Sequence, residues 1–117
     1  MRMQLIATLL FAVSGAAAAQ AHAFLDHASP LVGGTVQNAP HEVTLSFTQN
    51  LEPAFSSAQV TDAKGARVDT GKPQISGNTM RVGLKPIGPG SYKVRWHVLS
   101  VDTHKTEGSF SFHVGGQ

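Results

Sequence analysis

Apolar and polar residues alternate along much of the chain with a period of two. The alternation is clearest over residues 92–99 and 109–114, and it is weaker over residues 43–47, 58–61 and 80–84. Because successive side chains of a β-strand point to opposite faces, each of these segments is predicted to be a strand with one buried side. The buried side is expected to include Trp96, Phe110 and Phe112.

Glycine and proline separate these segments at short intervals, and no segment has a convincing helical period. The turn signals are Pro30, Gly33, Gly34, Asn38 to Pro40, Lys64, Gly65, Gly71 to Pro73, Gly77, Asn78 and Pro86 to Gly90. Short strands with turn residues at this spacing are typical of a β-sandwich. The pattern therefore predicts an all-β fold, a single sandwich of about seven strands.

The first 21 residues have the three parts of a secretory signal peptide. Arg2 supplies the positive charge, residues 5–13 are apolar apart from Thr8, and residues 14–21 are almost all small. The apolar part is shorter than the roughly 20 residues that span a bilayer. Cleavage after Ala21 is predicted to leave residues 22–117, enough for one domain. Cleavage after Ala19 or Ala23 also satisfies the Ala-x-Ala pattern, and would leave Gln20 or Phe24 first.

Composition excludes some classes of function. Without Arg2, eight Lys and Arg face seven Asp and Glu, and no basic cluster exists for a nucleic acid backbone. The chain has no cysteine, so a metal site would use nitrogen, oxygen or thioether donors. After the predicted signal peptide, the remaining methionine is Met80.

A histidine at the start of the mature chain is chemically special. The free α-amine and ring Nδ1 of His22 can close a six-membered chelate ring around one metal ion. Cu(II) is the divalent ion with the highest affinity for such sites, and it prefers tetragonal nitrogen and oxygen ligands. Bound amine and imidazole must be deprotonated, so we expect acid, below about pH 5 to 6, to release the ion.

Further donors are predicted in the sequence Ser-Val-Asp-Thr-His at residues 100–104. If this segment is extended, Asp102 and His104 point to the same side, roughly 6 to 7 Å apart at the backbone, whereas Thr103 points away and is expected to anchor the turn. Both side chains could then approach one ion. Asp102 could bind the metal directly, or accept a hydrogen bond that orients an imidazole.

Several segments resemble one known family. They are HAFL at residues 22–25, Ser29 with Pro30, VTLSF at 43–47, PGSYKVRW at 89–96, and above all VLSVDTHKTEG at 98–108 followed by FSFHV at 110–114. Over essentially the whole mature chain they are similar to the CopC/PcoC family of periplasmic copper-resistance proteins. The resemblance implies a Greek-key sandwich of immunoglobulin or cupredoxin type. It also implies a Cu(II) site formed by the amine and ring of His22 together with Asp102 and His104.

The function that the resemblance implies is binding and not catalysis. The protein would hold one Cu(II) per chain in the periplasm, as a buffer or for transfer to an inner-membrane copper transporter of the CopD type. Some family members have a methionine-rich Cu(I) site, but this chain offers Met80 alone, so no dedicated Cu(I) site is expected. Some members also have a glutamate near the copper where this chain has Gln49, which leaves the role of that position open.

Two alternatives belong to other classes of protein. The same histidine brace occurs in lytic polysaccharide monooxygenases, so an oxidative copper enzyme is the first alternative. If the carboxylate of Asp102 binds the ion, it occupies a coordination position that oxygen chemistry needs, and this counts against the enzyme alternative. The second alternative is an immunoglobulin-like structural domain without metal. The remaining histidines, His27, His41, His97 and His113, are predicted to be exposed or structural and not to bind metal.

Overall fold

The structure is a computed structural model that describes residues 23–116, so the predicted signal peptide and His22 lie outside the described residues. Eight strands follow one another: β1 Leu25–Ser29, β2 Thr35–Val36, β3 Glu42–Phe47, β4 Ser57–Asp62, β5 Gln74–Ser76, β6 Thr79–Gly83, β7 Gly90–Leu99 and β8 Lys105–Val114. A 3₁₀ turn, Pro53–Phe55, precedes β4. No helix in this part of the chain is long and apolar enough to cross a membrane.

The strands form two four-stranded sheets, in the orders β1-β3-β6-β5 and β2-β8-β7-β4. From β1 to β5 the chain alternates between the sheets, and the hairpins β5–β6 and β7–β8 each stay within one. This is the predicted Greek-key sandwich, with eight strands where about seven were expected. The five strands predicted from alternation are confirmed. β2 and β5 have two and three residues, too few for a period-two pattern to stand out.

The core lies between the two sheets and consists of the inward side of each strand. Phe47 and Trp96 come from opposite sheets, with ring centroids 5.1 Å apart and planes at 76°, an edge-to-face contact. Phe112 is fully buried and stacks on Tyr92 with centroids 5.5 Å apart. Met80 is 0% exposed. The methionine that remains after the predicted cleavage is thus a core residue on β6, and it is not accessible as a thioether ligand.

Gly108 on β8 lies opposite Trp96 on β7, and the indole occupies the space that a side chain would need. A Cβ atom added at Gly108 would lie 2.6 Å from Cζ2 of Trp96, and Phe47 packs against the same indole. We expect Gly108→Ala to lower the free energy of unfolding by about 1–3 kcal/mol, the range for overpacked cores. In a domain of this size each kcal/mol corresponds to about 4–8 °C in Tm, measurable by thermal unfolding.

Gly88→Ala is the matched control for this substitution. No atom lies within 4 Å of the Cβ position at Gly88. There the loss of glycine entropy from the unfolded chain, about 0.4–1 kcal/mol, should leave stability unchanged or slightly raised. Equal Tm values for the two variants would contradict the close packing of Gly108 against Trp96.

The most buried carboxylate among the described residues is structural. Asp69 accepts hydrogen bonds from the amide of Val60 on β4 at 2.9 Å and from Arg67 Nε and Nη2 at 2.9 and 2.7 Å. Burial raises the pKa of Asp69, but the bonds from Arg67 and Val60 outweigh it, so the net pKa lies below its usual value. Asp69 therefore occupies a donor on the edge strand β4 that would otherwise be free to pair with another chain.

Candidate metal centre

The loop between β7 and β8, residues 100–104, is a tight turn. The last strand pair is Leu99 with Lys105, and the Ser100 amide donates to the His104 carbonyl at 3.0 Å. The Thr103 amide donates to the Ser100 carbonyl at 2.8 Å, and Thr103 has a φ of 71°. The expectation of an extended segment is therefore wrong. The hairpin has to reverse direction within these residues, and the left-handed Thr103 makes that reversal.

The turn nevertheless brings the two predicted donors together. Nδ1 of His104 lies 3.4 Å from Oδ1 of Asp102. The side chains are 44% and 43% exposed, so each reaches solvent with part of its surface. Nδ1 of His104 is itself shielded from solvent. One carboxylate and one imidazole thus share a half-exposed position at the hairpin tip.

Ser100 is the buried residue that holds this loop together through hydrogen bonds. It is fully buried, and its hydroxyl donates a hydrogen bond to Oδ1 of Asp102 and accepts one from the His104 amide at 3.3 Å. The Ser100 bond is the main cause that lowers the pKa of Asp102; desolvation opposes it, and the hydrogen bond and charge of His104 lower the pKa further, so the net pKa lies below its usual value. Asp102 is therefore held as a carboxylate, the form that binds a cation. The residue pattern of this segment predicts no such role for Ser100.

Ala23, the first described residue of the chain, lies next to β8. Ala23 is 0% exposed, and its carbonyl accepts a hydrogen bond of 2.6 Å from the hydroxyl of Thr106, the second residue of β8. Phe24 and Thr48 form a pair of bonds, Phe24 N to Thr48 Oγ1 and Thr48 N to Phe24 O, both of 2.9 Å. The chain thus joins the fold two residues along from His104. His22 lies outside the described residues, and its role as a ligand stays a prediction.

Residues 48–50, which follow β3, connect the first described residues of the chain with the β7–β8 hairpin. Thr48 pairs with Phe24, and the Asn50 carbonyl accepts from the Val101 amide at 3.0 Å. Gln49 lies between them and is half-buried. The position where some relatives were expected to have a glutamate is thus located between the start of the fold and the hairpin tip. In this chain it carries an uncharged amide.

Similarity to known proteins shows the family to which this chain belongs. The CopC domain family matches residues 25–115 of the chain. The chain belongs to the CopC family. It is 38% identical over 107 residues to copper resistance protein C of Xanthomonas campestris pv. juglandis, covering 84% of each chain. It is 37% identical over 98 residues to the protein YobA of Escherichia coli K12, covering 80% of this chain and 79% of YobA.

The crystal structure of CopC from Methylosinus trichosporium OB3b matches the fold of this CopC domain. The TM-score is 0.77 at 32% sequence identity, and the match covers 82% of this chain and 96% of the other. The resemblance found in the sequence is confirmed, and so is the sandwich fold. The chain is thereby placed in a family of copper proteins that includes copper resistance proteins.

The other histidines of this CopC domain lie on its surface, as predicted. His27 is 70% exposed and lies 3.2 Å from Asp26, and the Nδ1 atom of His113 is 2.8 Å from the hydroxyl of Ser91. His41 and His97 are exposed as well. Within residues 23–116, no three His, Asp or Glu side chains come close enough to hold a metal ion. Asp102 and His104 by themselves are two donors, fewer than Cu(II) prefers.

Proposed function

We propose that this CopC domain binds one Cu(II) ion through the α-amine and imidazole of His22, with His104 and Asp102 completing the site. The observation that carries the proposal is the bond between Thr106 and the Ala23 carbonyl. It puts the residue after His22 beside the strand that begins directly after His104. Ala23, the residue after the predicted chelating histidine, and Thr106, two residues after His104, thus lie together at one end of the sandwich.

Peptide geometry limits how far His22 can be from this point. Consecutive α-carbons are about 3.8 Å apart, and two residues along a strand cover about 6–7 Å. With Ala23 fixed against Thr106, the amine and ring of a residue at position 22 are within reach of His104. Asp102, kept ionised by Ser100, supplies the negative charge, either as a ligand or by orienting the imidazole.

The donor set favours Cu(II) over Cu(I). Amine, imidazole and carboxylate are nitrogen and oxygen ligands, which suit the divalent ion, whereas Cu(I) prefers thiolate or thioether. The chain has no cysteine, and Met80 is fully buried between the sheets. We infer one Cu(II) per chain and no Cu(I) site.

The site favours storage and transfer over catalysis. His104 and Asp102 are about half exposed, and the neighbouring Val101 is 51% exposed, so a second protein can approach the ion directly. We infer that residues 1–21 direct export and are removed, and that the protein holds Cu(II) in the periplasm for tolerance or uptake. An inner-membrane transporter of the CopD type is the proposed recipient.

Titration of the chain beginning at His22 with Cu(II) tests the proposal. We expect one equivalent to bind at neutral pH, with an electron paramagnetic resonance spectrum typical of tetragonal nitrogen and oxygen coordination. Acid should release the ion, because amine and imidazoles must lose their protons to bind. Intact mass of the exported protein must first show that it begins at His22. A chain that starts at His22 and binds no Cu(II) would refute the proposed function.

A further inference from the structure

Resting on the proposed function, we infer that Thr106 is a positioning residue that sets the geometry of the copper site without touching the ion. Its hydroxyl donates to the Ala23 carbonyl at 2.6 Å. Ala23 is the residue to which the proposed chelating residue is joined. The bond therefore fixes the Ala23–Phe24 peptide unit, the second peptide unit along the chain from the proposed amine donor.

The position of Thr106 on β8 gives this bond its significance. Thr106 is the second residue of the strand, and its neighbour across β7 is Val98, which is 2% exposed. By strand alternation, Thr106 points to the same inward side as Phe110 and Phe112. A hydroxyl on that side needs a partner, and the Ala23 carbonyl is the partner it has. A half-buried hydroxyl and the carbonyl of a buried residue thus satisfy each other at the edge of the core.

The bond also links the two sheets. The bonds between Phe24 and Thr48 tie the first described residues to the loop that directly follows β3, a strand of the first sheet. His104 belongs to the β7–β8 hairpin, in the second sheet. The Thr106 bond joins Ala23 to that second sheet. Movement between sheets would otherwise change the distance from the amine to His104, and a chelate of fixed geometry loses affinity when its donors are displaced.

Thr106→Val tests the inference, because valine has nearly the same shape, suits a strand and lacks the hydroxyl. We expect the affinity for Cu(II) to fall about 10- to 100-fold, the range seen when a supporting partner of a metal ligand is lost. The Cu(II) resonance spectrum should broaden or split into two species, since the donors no longer have one arrangement. Thr106→Ser keeps the hydroxyl and should restore wild-type affinity and spectrum.

A second measurement on the copper-free protein keeps this inference separate from the proposed function. Hydrogen exchange of the Phe24 amide should be faster in Thr106→Val than in Thr106→Ser, because the segment has lost its link to β8. If Thr106→Val does not fold, Thr106→Ala serves in both assays. Wild-type protein that binds Cu(II), with Thr106→Val matching it in affinity, spectrum and exchange, would overturn the role of Thr106 alone. Wild-type protein that binds no Cu(II) would overturn the proposed function.

Discussion

Replacing His104 with alanine is expected to lower the affinity of the domain for Cu(II) by more than about 100-fold. Loss of a supporting group around a metal site costs about 10- to 100-fold, and a direct ligand should cost more. His104 is also the imidazole that the structure places 3.4 Å from Asp102 and just before β8. Competition titration against a chelator of known affinity, at fixed pH, measures the change.

His97→Ala is the matched control for the His104 substitution. His97 is an exposed histidine on β7, and its side chain lies on the outer side of the sheet, away from the core. Its removal should leave copper affinity unchanged. The free energy of unfolding of the copper-free protein should change by less than about 0.5 kcal/mol for His97→Ala, and by no more than about 1 kcal/mol for His104→Ala, which also loses the half-exposed contact with Asp102. Equal copper affinity in both variants would remove His104 from the site.

The fold could be predicted from the sequence because most strands of the sandwich have one solvent-exposed side and one buried side. β7 shows this directly: Tyr92, Val94, Trp96 and Val98 are buried and the residues between them are not. This alternation is local and needs no knowledge of partners. β2 depends instead on its pairing with the C-terminal end of β8, which two residues cannot indicate.

The site could be predicted only in part, for a related reason. The donor chemistry of Asp102 and His104 predicts that both side chains lie near one ion, and the structure does bring the two side chains together. The geometry was wrong, because the turn depends on the left-handed Thr103 and on the buried hydroxyl of Ser100, which hydrophobic alternation does not report. Thr106 was overlooked although a signal existed: extending the alternation of β8 backwards puts a hydroxyl on the apolar side.

Capping the α-amine of His22 with an acetyl group is expected to lower the Cu(II) affinity by more than about 100-fold, as for His104→Ala. The cap removes the amine as a donor and keeps every side chain, including His104 and Asp102. A histidine away from the terminus offers its ring without the second nitrogen of the chelate. The remaining imidazoles and carboxylate should then bind Cu(II) weakly, with fewer nitrogen donors in the resonance spectrum.

His22→Ala complements the cap, because it leaves the amine free and removes the ring. If amine and ring act as one chelate, each change alone should abolish most of the affinity, and the two losses should not add when combined. Thermal unfolding of the copper-free forms should be unchanged, since both changes precede Ala23, where the described contacts with Thr106 begin. An acetylated chain that binds Cu(II) as tightly as the free one would show that the ion is held elsewhere. The link between signal peptide cleavage and copper binding would then be lost, because an uncleaved or differently cleaved chain would bind copper equally well.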